Sequence, residues 1–328
     1  MDKITFDELI VEITRRCNMS CEHCFRGDAQ CVDIAPQHID HLLDQAEVIG
    51  RLVITGGEPL LNVEALSHLY DAIRTRGVML LGFELISNGH TFDKEFADII
   101  KRFGDLVYAC NRLCRPNLSR LPRKDFVSLC ALGISLDRYH ADHDICMENY
   151  RRYKAALRGH ADVIQILHGN TVSGLGRSKN LIEDQIDLSE MLDAYKDQRI
   201  ELFSADYKTP SCENKTFSLC HPEQKIVPCV LYLDVYGHLK HSIVSTCEYE
   251  RADCFPAICK ASDPIWKSLI KYNRGKLPCA SFQKTLLEKV SNNNALKTFL
   301  LQINNDKETD PQSQDELLSA LKDMAWSA

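Results

Sequence analysis

The chain has no surplus of positive charge. Lys plus Arg total 39 against 46 for Asp plus Glu, a formal net charge of −7, which is the reverse of the basic footprint of a nucleic-acid binder. Nucleic acid is therefore not an expected partner. Long apolar runs are also missing: none approaches the ~18 residues of a membrane-spanning helix, so no membrane role is expected. The start, Met1-Asp2-Lys3-Ile4-Thr5-Phe6-Asp7-Glu8, puts three acidic residues where a secretory signal carries basic ones. A soluble cytoplasmic protein is the expectation. With 328 residues, 45% of them hydrophobic and 26% charged, the chain is neither disordered nor fibrous, and it is long enough for one large α/β domain or a barrel with an appendage.

Cysteine, by contrast, is abundant. The 15 cysteines fall in three groups: Cys17, Cys21, Cys24 and Cys31; Cys110, Cys114, Cys130 and Cys146; and Cys212, Cys220, Cys229, Cys247, Cys254, Cys259 and Cys279. Without an export signal, disulfides are not expected, which leaves metal ligands, catalytic thiols and core packing. Spacing has to separate these.

Runs rich in β-branched and apolar residues stand at Leu9–Thr14, Arg51–Thr55, Gly82–Ser87, Ile134–Asp137, Val163–Leu167 and Ile200–Ala205. Helical patterns lie between most of them, an alternation that predicts a parallel sheet covered by helices. The apolar stripe of Ile39, Leu42, Leu43 and Ala46 predicts a helix over Pro36–Ile49, and that of Leu66, Leu69, Tyr70 and Ile73 predicts one over Val63–Arg76. After about residue 207 the texture changes. Ile226–Asp234, Tyr236-Gly237-His238 and Leu239–Val244 read as a β-hairpin, and a polar stretch at Asn304–Gln314 precedes a final helix. The division expected is 1–207, 208–280 and 281–328.

Cys17-Asn18-Met19-Ser20-Cys21-Glu22-His23-Cys24 directly follows the first expected strand. Three thiolates on one short loop can hold three corners of a cubane iron-sulfur cluster and leave the fourth iron open. A zinc site built on Cys21 and Cys24, or an electron-transfer cluster completed by Cys31, are the alternatives. Ile54-Thr55-Gly56-Gly57-Glu58-Pro59 stands at the end of the second strand. Its paired glycines permit close backbone approach, and Glu58 adds an acceptor at the same sheet edge.

On these two motifs the chain resembles the radical S-adenosylmethionine (SAM) superfamily over roughly residues 9–207. The resemblance implies an α/β fold, a partial (β/α)6 TIM-like barrel. It also implies that Cys17, Cys21 and Cys24 bind an oxygen-sensitive [4Fe-4S] cluster whose free iron chelates SAM. Gly56 and Gly57 would meet the methionyl amino group, with Glu58 and Pro59 shaping their loop. His23 takes the place where the family usually has an aromatic residue near the adenine. Asn88 in Ser87-Asn88-Gly89, Ser135 and Asp137 at the fourth strand, and Asn170 and Arg177 after the fifth would reach the ribose hydroxyls and the SAM carboxylate. A simple turn at Ser87–Gly89, a capping role for Asp137 and a solvated Arg177 are the plainer readings. The implied chemistry is reductive cleavage of SAM to a 5′-deoxyadenosyl radical that abstracts hydrogen from a substrate, with the electron supplied by a donor such as flavodoxin or ferredoxin.

The region after 207 is similar to the SPASM or twitch extension of peptide-modifying members, a small cysteine-rich β-hairpin plus helical C-terminal segments. In that pattern a ligand cysteine follows the hairpin glycine after four residues, where this chain has Ser242. Either a second cluster uses Cys247, Cys254, Cys259 or Cys279 instead, or this module has lost it and several of these thiols are small core residues. The expected substrate is a ribosomally made peptide, undergoing epimerisation or crosslinking, against a small metabolite or a non-catalytic iron-sulfur or zinc protein. With the first strand beginning within ten residues of the start, no N-terminal peptide-recognition domain is expected. Cys110 and Cys114 share a helix face and read as packing. Cys130 and Cys146, the latter expected in a loop, are candidate hydrogen donors only where they face the cavity.

Overall fold

The computed structural model describes residues 3–114, 122–136, 142–166, 177, 202–204, 226–228, 230–241 and 248–273. Its sheet begins with β1 (Ile4–Glu12). Helix α1 (Pro36–Leu43), β2 (Ala46–Thr55), α2 (Val63–Arg76), the short β3 (Met79–Leu80), β4 (Phe83–Ser87), α3 (Lys94–Cys114), β5 (Cys130–Ser135), α4 (His143–Ala156) and β6 (Asp162–Ile166) follow in turn. Strands β1, β2, β4, β5 and β6 are neighbours in that order and all parallel, with β3 added to β2. This is the strand-helix alternation that the sequence pattern predicts, and it gives the parallel-dominated sheet of a partial TIM-like barrel.

Two expected elements differ. The helix from Pro36 ends at Leu43, and Ala46–Ile49 belong to β2 instead. Ala46 and Ile49 are fully buried, but through ladder positions opposite Ile4 and Phe6 rather than through a helix face. An apolar run holding Val48 and Ile49 fits either period, and strand pairing decides it. The strand expected at Ile200–Ala205 is present as β7 (Leu202–Ser204), yet it pairs antiparallel with β8 (Ile226–Pro228) in a separate two-stranded sheet.

A further parallel strand of the main sheet comes from the later region. β9 (Val230–Leu233) lies parallel to β1 on the side opposite β2, and β10 (His238–His241) returns antiparallel to it. β11 (Cys259–Lys260) then adds an antiparallel edge to β10. The hairpin turns at Gly237 (φ +77°), whose amide donates to the Asp234 carbonyl at 3.0 Å. Helices α5 (Tyr249–Cys254) and α6 (Ile265–Asn273) complete the described residues. The expected final helix after Pro311 lies outside them.

The sheet has two differently used faces. Leu9, Val11, Leu52, Ile54, Leu85, Leu132, Ile134 and Val163 pack with Leu42, Leu66, Ile73, Phe96, Ile100 and Phe103 of the covering helices. On the other face Ile10 and Val53 meet Tyr232 of β9 and Ala252 and Phe255 at α5, with Phe25 against them. The late part of the chain thus covers the inner face at β1 and β2. Among the described residues no helix is long and apolar enough to cross a membrane.

Helix α3 contains Gly104 where a helix former would ordinarily stand, because a Cβ there would lie 2.3 Å from the His160 carbonyl oxygen. Gly104→Ala gains up to ~1 kcal/mol of helix propensity but forces the helix off that carbonyl, at about 1–3 kcal/mol. A net loss of stability is expected as a lower urea midpoint. A raised midpoint would show that the two segments part freely.

Candidate active site

β1 does not end its pairing at Glu12. The Ile13 amide donates to the Thr55 carbonyl at 3.1 Å, the Gly57 amide to the Thr14 carbonyl at 2.8 Å, and the Glu58 amide to the Arg16 carbonyl at 2.7 Å. The ladder therefore runs on until the two motifs lie side by side. A Cβ on Gly56 would come within 2.3 Å of the Thr14 oxygen and one on Gly57 within 2.2 Å of the Arg16 oxygen. The close approach that the glycines permit is, in the first place, to the base of the cysteine loop.

That loop is closed at its neck by Arg15 N to Val32 O (2.8 Å) and Gln30 N to Arg15 O (3.0 Å). Thr14 Oγ1 donates to Asp33 Oδ1 at 2.6 Å in the same place. Within the loop the Cys24 amide donates to Cys21 O at 3.2 Å. Cys17, Cys21 and Cys24 are half-buried and in no disulfide, and Cys31 is exposed. Burial pushes the Cys17 thiol up, and the nearby Glu58 carboxylate and Cys24 push the same way against hydrogen bonds from the Met19 backbone and Asn88. A thiolate crowded by negative groups is stabilised by a cationic metal centre, and an all-sulfur donor set suits iron-sulfur chemistry. Among the described residues no three His, Cys, Asp or Glu side chains converge on a single metal ion. A cubane does not need them to, since each thiolate takes its own iron. The three thiols fit such a cluster.

Glu58 is 1% exposed, and its carboxylate accepts from Leu60 N (3.1 Å), Ser87 Oγ (2.9 Å) and Asn88 N (2.7 Å). One side chain thereby caps the turn that begins at the buried Pro59 and fastens the end of β2 to the end of β4. Its acceptor capacity serves the loop. Asn88, in turn, sends Nδ2 to Asn18 Oδ1 (2.8 Å) and lies 3.9 Å from Cys17 Sγ. Gly89 (φ +67°) completes the turn, so Ser87–Gly89 is both a turn and a wall of the cysteine loop.

Arg177 reaches the same loop from the other end of the barrel sequence. Its amide donates to Cys24 O at 2.9 Å, and its guanidinium, only 25% exposed, lies 3.5 Å from the exposed Asp28. The Arg177 Nε atom is buried without a hydrogen-bond partner. The side chain is thus partly buried at the edge of the loop. Ser135, also buried, ends β5 on the face opposite the helix-packed Ile134, and His23 is half-buried in the loop. Asp137 and Asn170 lie outside the described residues.

The other thiols separate cleanly. Cys130 is 1% exposed on the helix-packed face of β5, where burial pushes its thiol up to about 12. Cys146 is not in a loop but in the first turn of α4, fully buried in the same core. Neither faces the inner side, because both pack among helix residues. Cys110 is buried and Cys114 half-buried, with Cys114 Sγ 3.1 Å from Met79 Sδ. Of the late group, Cys259 is core-packed, its thiol pushed up to about 11 by burial, and Cys254 is exposed. Cys212, Cys220, Cys229, Cys247 and Cys279 lie outside the described residues.

Sequence reasoning missed a buried charged cluster around the loop. Glu12, Arg15 and Arg26 are each at most 6% exposed at the side chain and interact with one another and with Tyr249. No local pattern marks them, since a strand-end glutamate and loop arginines ordinarily face water.

Residues 11–113 match the family model described as the radical SAM superfamily. Over that stretch, about a third of its length, the chain is similar to radical SAM proteins. That family uses a [4Fe-4S] cluster and SAM, in keeping with the thiol loop. An uncharacterized protein of Methanocaldococcus jannaschii is 36% identical over 67 residues, 19% of this chain and 23% of that protein. The match thus spans about a quarter of that relative. Among solved structures, native anSMEcpe with bound AdoMet and Cp18Cys peptide is 11% identical, with coverage of 84% of this chain and 82% of the other and a TM-score of 0.44. Streptococcus suis SuiB bound to precursor peptide SuiA is 11% identical, with 86% and 73% coverage and a TM-score of 0.32.

Glu58→Ala removes the acceptor for three donors, two of them backbone amides. Losing them should lower unfolding free energy by ~3 kcal/mol, with Glu58→Gln losing less. Equal denaturant midpoints for Glu58→Ala and the parent chain would mean that water replaces the carboxylate.

Proposed function

We propose that this chain is a radical SAM enzyme acting on a ribosomally made peptide. The observation that carries the enzyme reading is the continuation of the β1–β2 ladder through Gly57 and Glu58, which sets the three-thiol loop against the Gly-Gly-Glu-Pro loop at one sheet edge. Cys17, Cys21 and Cys24 would hold the [4Fe-4S] cluster. When bound, the cluster supplies one low-potential electron to SAM, releasing a 5′-deoxyadenosyl radical that takes hydrogen from the substrate.

The chain's own residues bind, orient and exclude water. Arg177, held beside Cys24 with an unengaged Nε, would receive the SAM carboxylate in its planar fork. The backbone at Gly56 and Gly57 would receive the amino group, on a loop that Glu58 and Pro59 hold in shape. His23 would lie by the adenine, and Asn88, Ser135 and Asp137 would serve the ribose. The radical needs a dry, confined cavity, and the cover of Tyr232, Ala252 and Phe255 over Ile10 and Val53 supplies apolar surface on the inner face.

The peptide reading rests on the hairpin and helix that follow the barrel strands, which resemble the extension of peptide-modifying members. An auxiliary cluster on the late cysteines and a flavodoxin or ferredoxin as electron donor belong to the same proposal. A small-metabolite substrate is the competing outcome.

Anaerobically reconstituted protein given dithionite and SAM should release 5′-deoxyadenosine, read by mass spectrometry. Iron well above about four per chain is the expected sign of the auxiliary cluster. Cys21→Ala should abolish cluster and product while leaving the thermal transition close to the parent's, and Arg177→Ala should weaken SAM binding about tenfold without loss of iron. A chain that holds zinc and leaves SAM intact would end the enzyme reading. Turnover of a nucleoside, sugar or amino acid, with none of short peptides encoded nearby, would end the peptide reading.

A further inference from the structure

Arg15 and Arg26 stand two residues outside the first and last cysteines of the Cys17–Cys24 loop, and both point into the protein. The Arg15 side chain is fully buried. Its Nε donates to Glu12 Oε2 at 3.1 Å and its Nη1 to Gln30 Oε1 at 3.0 Å. The fork then closes on Asp253 of α5, Nη1 to Oδ2 at 3.0 Å and Nη2 to Oδ1 at 2.8 Å. Its Cζ lies 5.1 Å from the Tyr236 ring centroid and 4.6 Å from that of Tyr249. Arg26 completes the arrangement: Tyr249 N donates to its carbonyl at 3.1 Å, and its guanidinium lies near Glu12 (3.9 Å) and near the Tyr232 and Tyr249 rings.

Both ends of the thiol loop are therefore fastened to the hairpin and α5, more than 200 residues away in sequence. A buried guanidinium is costly unless its hydrogen bonds are met, and the two-pronged pair with Asp253 is the most directional of those that Arg15 makes. Glu12 and Gln30 belong to the strand and to the loop itself. Asp253 is the carboxylate that relates the loop to a different part of the chain, and it is 37% exposed, so it can be altered without opening the core.

We propose that Asp253 is a positioning residue for the cluster loop, acting through Arg15 so that α5 sets the orientation of the three thiols against the ends of β2 and β4. The purpose assigned to this tie rests on the radical SAM reading; the tie itself can be tested apart from it. In this view the late part of the chain, whatever else it binds, is a structural half of the SAM site.

The test uses the full chain in two forms. In the cluster-free form, pulse alkylation read by peptide mass spectrometry should label Cys17, Cys21 and Cys24 about tenfold faster in Asp253→Ala than in the parent. Cys130 and Cys146 should stay protected and so report an intact core. Asp253→Glu, which restores the carboxylate, should recover most of the parent's protection. In the reconstituted form, the reduced cluster's electron paramagnetic resonance signal should require about tenfold more SAM to change in Asp253→Ala, at unchanged iron content. Parent-like labelling overturns the proposal, and so does a parent-like SAM response even where labelling accelerates. Should Cys130 and Cys146 label too, Asp253→Ala has unfolded the chain and Arg15→Lys decides. It keeps the charge without the fork, and parent-like behaviour in that folded variant overturns the proposal. A parent chain whose cluster signal ignores SAM would instead defeat the radical SAM reading, and the labelling arm would still judge the tie.

Discussion

The site depends on one backbone constraint, the parallel pairing of β1 and β2 carried past the end of both strands. Three amide-to-carbonyl bonds, from Ile13, Gly57 and Glu58, bring residues 13–16 and 55–58 into register. Everything chemically specific hangs from that register. The thiol loop starts one residue beyond Arg16, the Glu58 carboxylate extends the alignment to β4 through Ser87 and Asn88, and Asn88 then turns back onto Cys17. A side chain at either glycine would collide with the opposing carbonyl, so packing alone requires the pair.

A second layer of organisation is electrostatic. The loop carries three thiols and lies near buried Glu58, an environment that pushes the Cys17 thiol up and disfavours its ionisation. Compensation within the protein goes elsewhere: Arg15 and Arg26 serve Glu12, Asp253 and the tyrosine rings. Among the described residues the partly buried Arg177 also lies beside the loop, its amide on the Cys24 carbonyl.

The later region is joined to the barrel strands more closely than its sequence texture suggests. β9 pairs directly with β1, and Tyr232, Ala252 and Phe255 cover the inner face at Ile10 and Val53. A change in composition near residue 207 marks where the alternation stops, but hydrogen bonding and apolar packing cross that point. Strand pairing explains this. The free edge of β1 exposes unpaired amides and carbonyls that a returning strand can satisfy.

What the sequence by itself determined is local or periodic: the strand-helix alternation, helix α2 to its end residues, the thiol spacing and the Gly-Gly-Glu-Pro turn. Each is written in neighbouring residues, because turn chemistry and amphipathic period act over a few positions. The tertiary structure alone decided where Ala46–Ile49 goes, since the same apolar run satisfies a helix stripe or a ladder until Ile4 and Phe6 arrive as partners. It alone made Cys130 and Cys146 core thiols, by turning them toward helices rather than the inner face. And it alone buried Arg15 and Arg26, whose carboxylate and aromatic partners come from both ends of the chain. A charge reads as solvent-facing until a distant group meets its hydrogen bonds, and that meeting is a property of the fold.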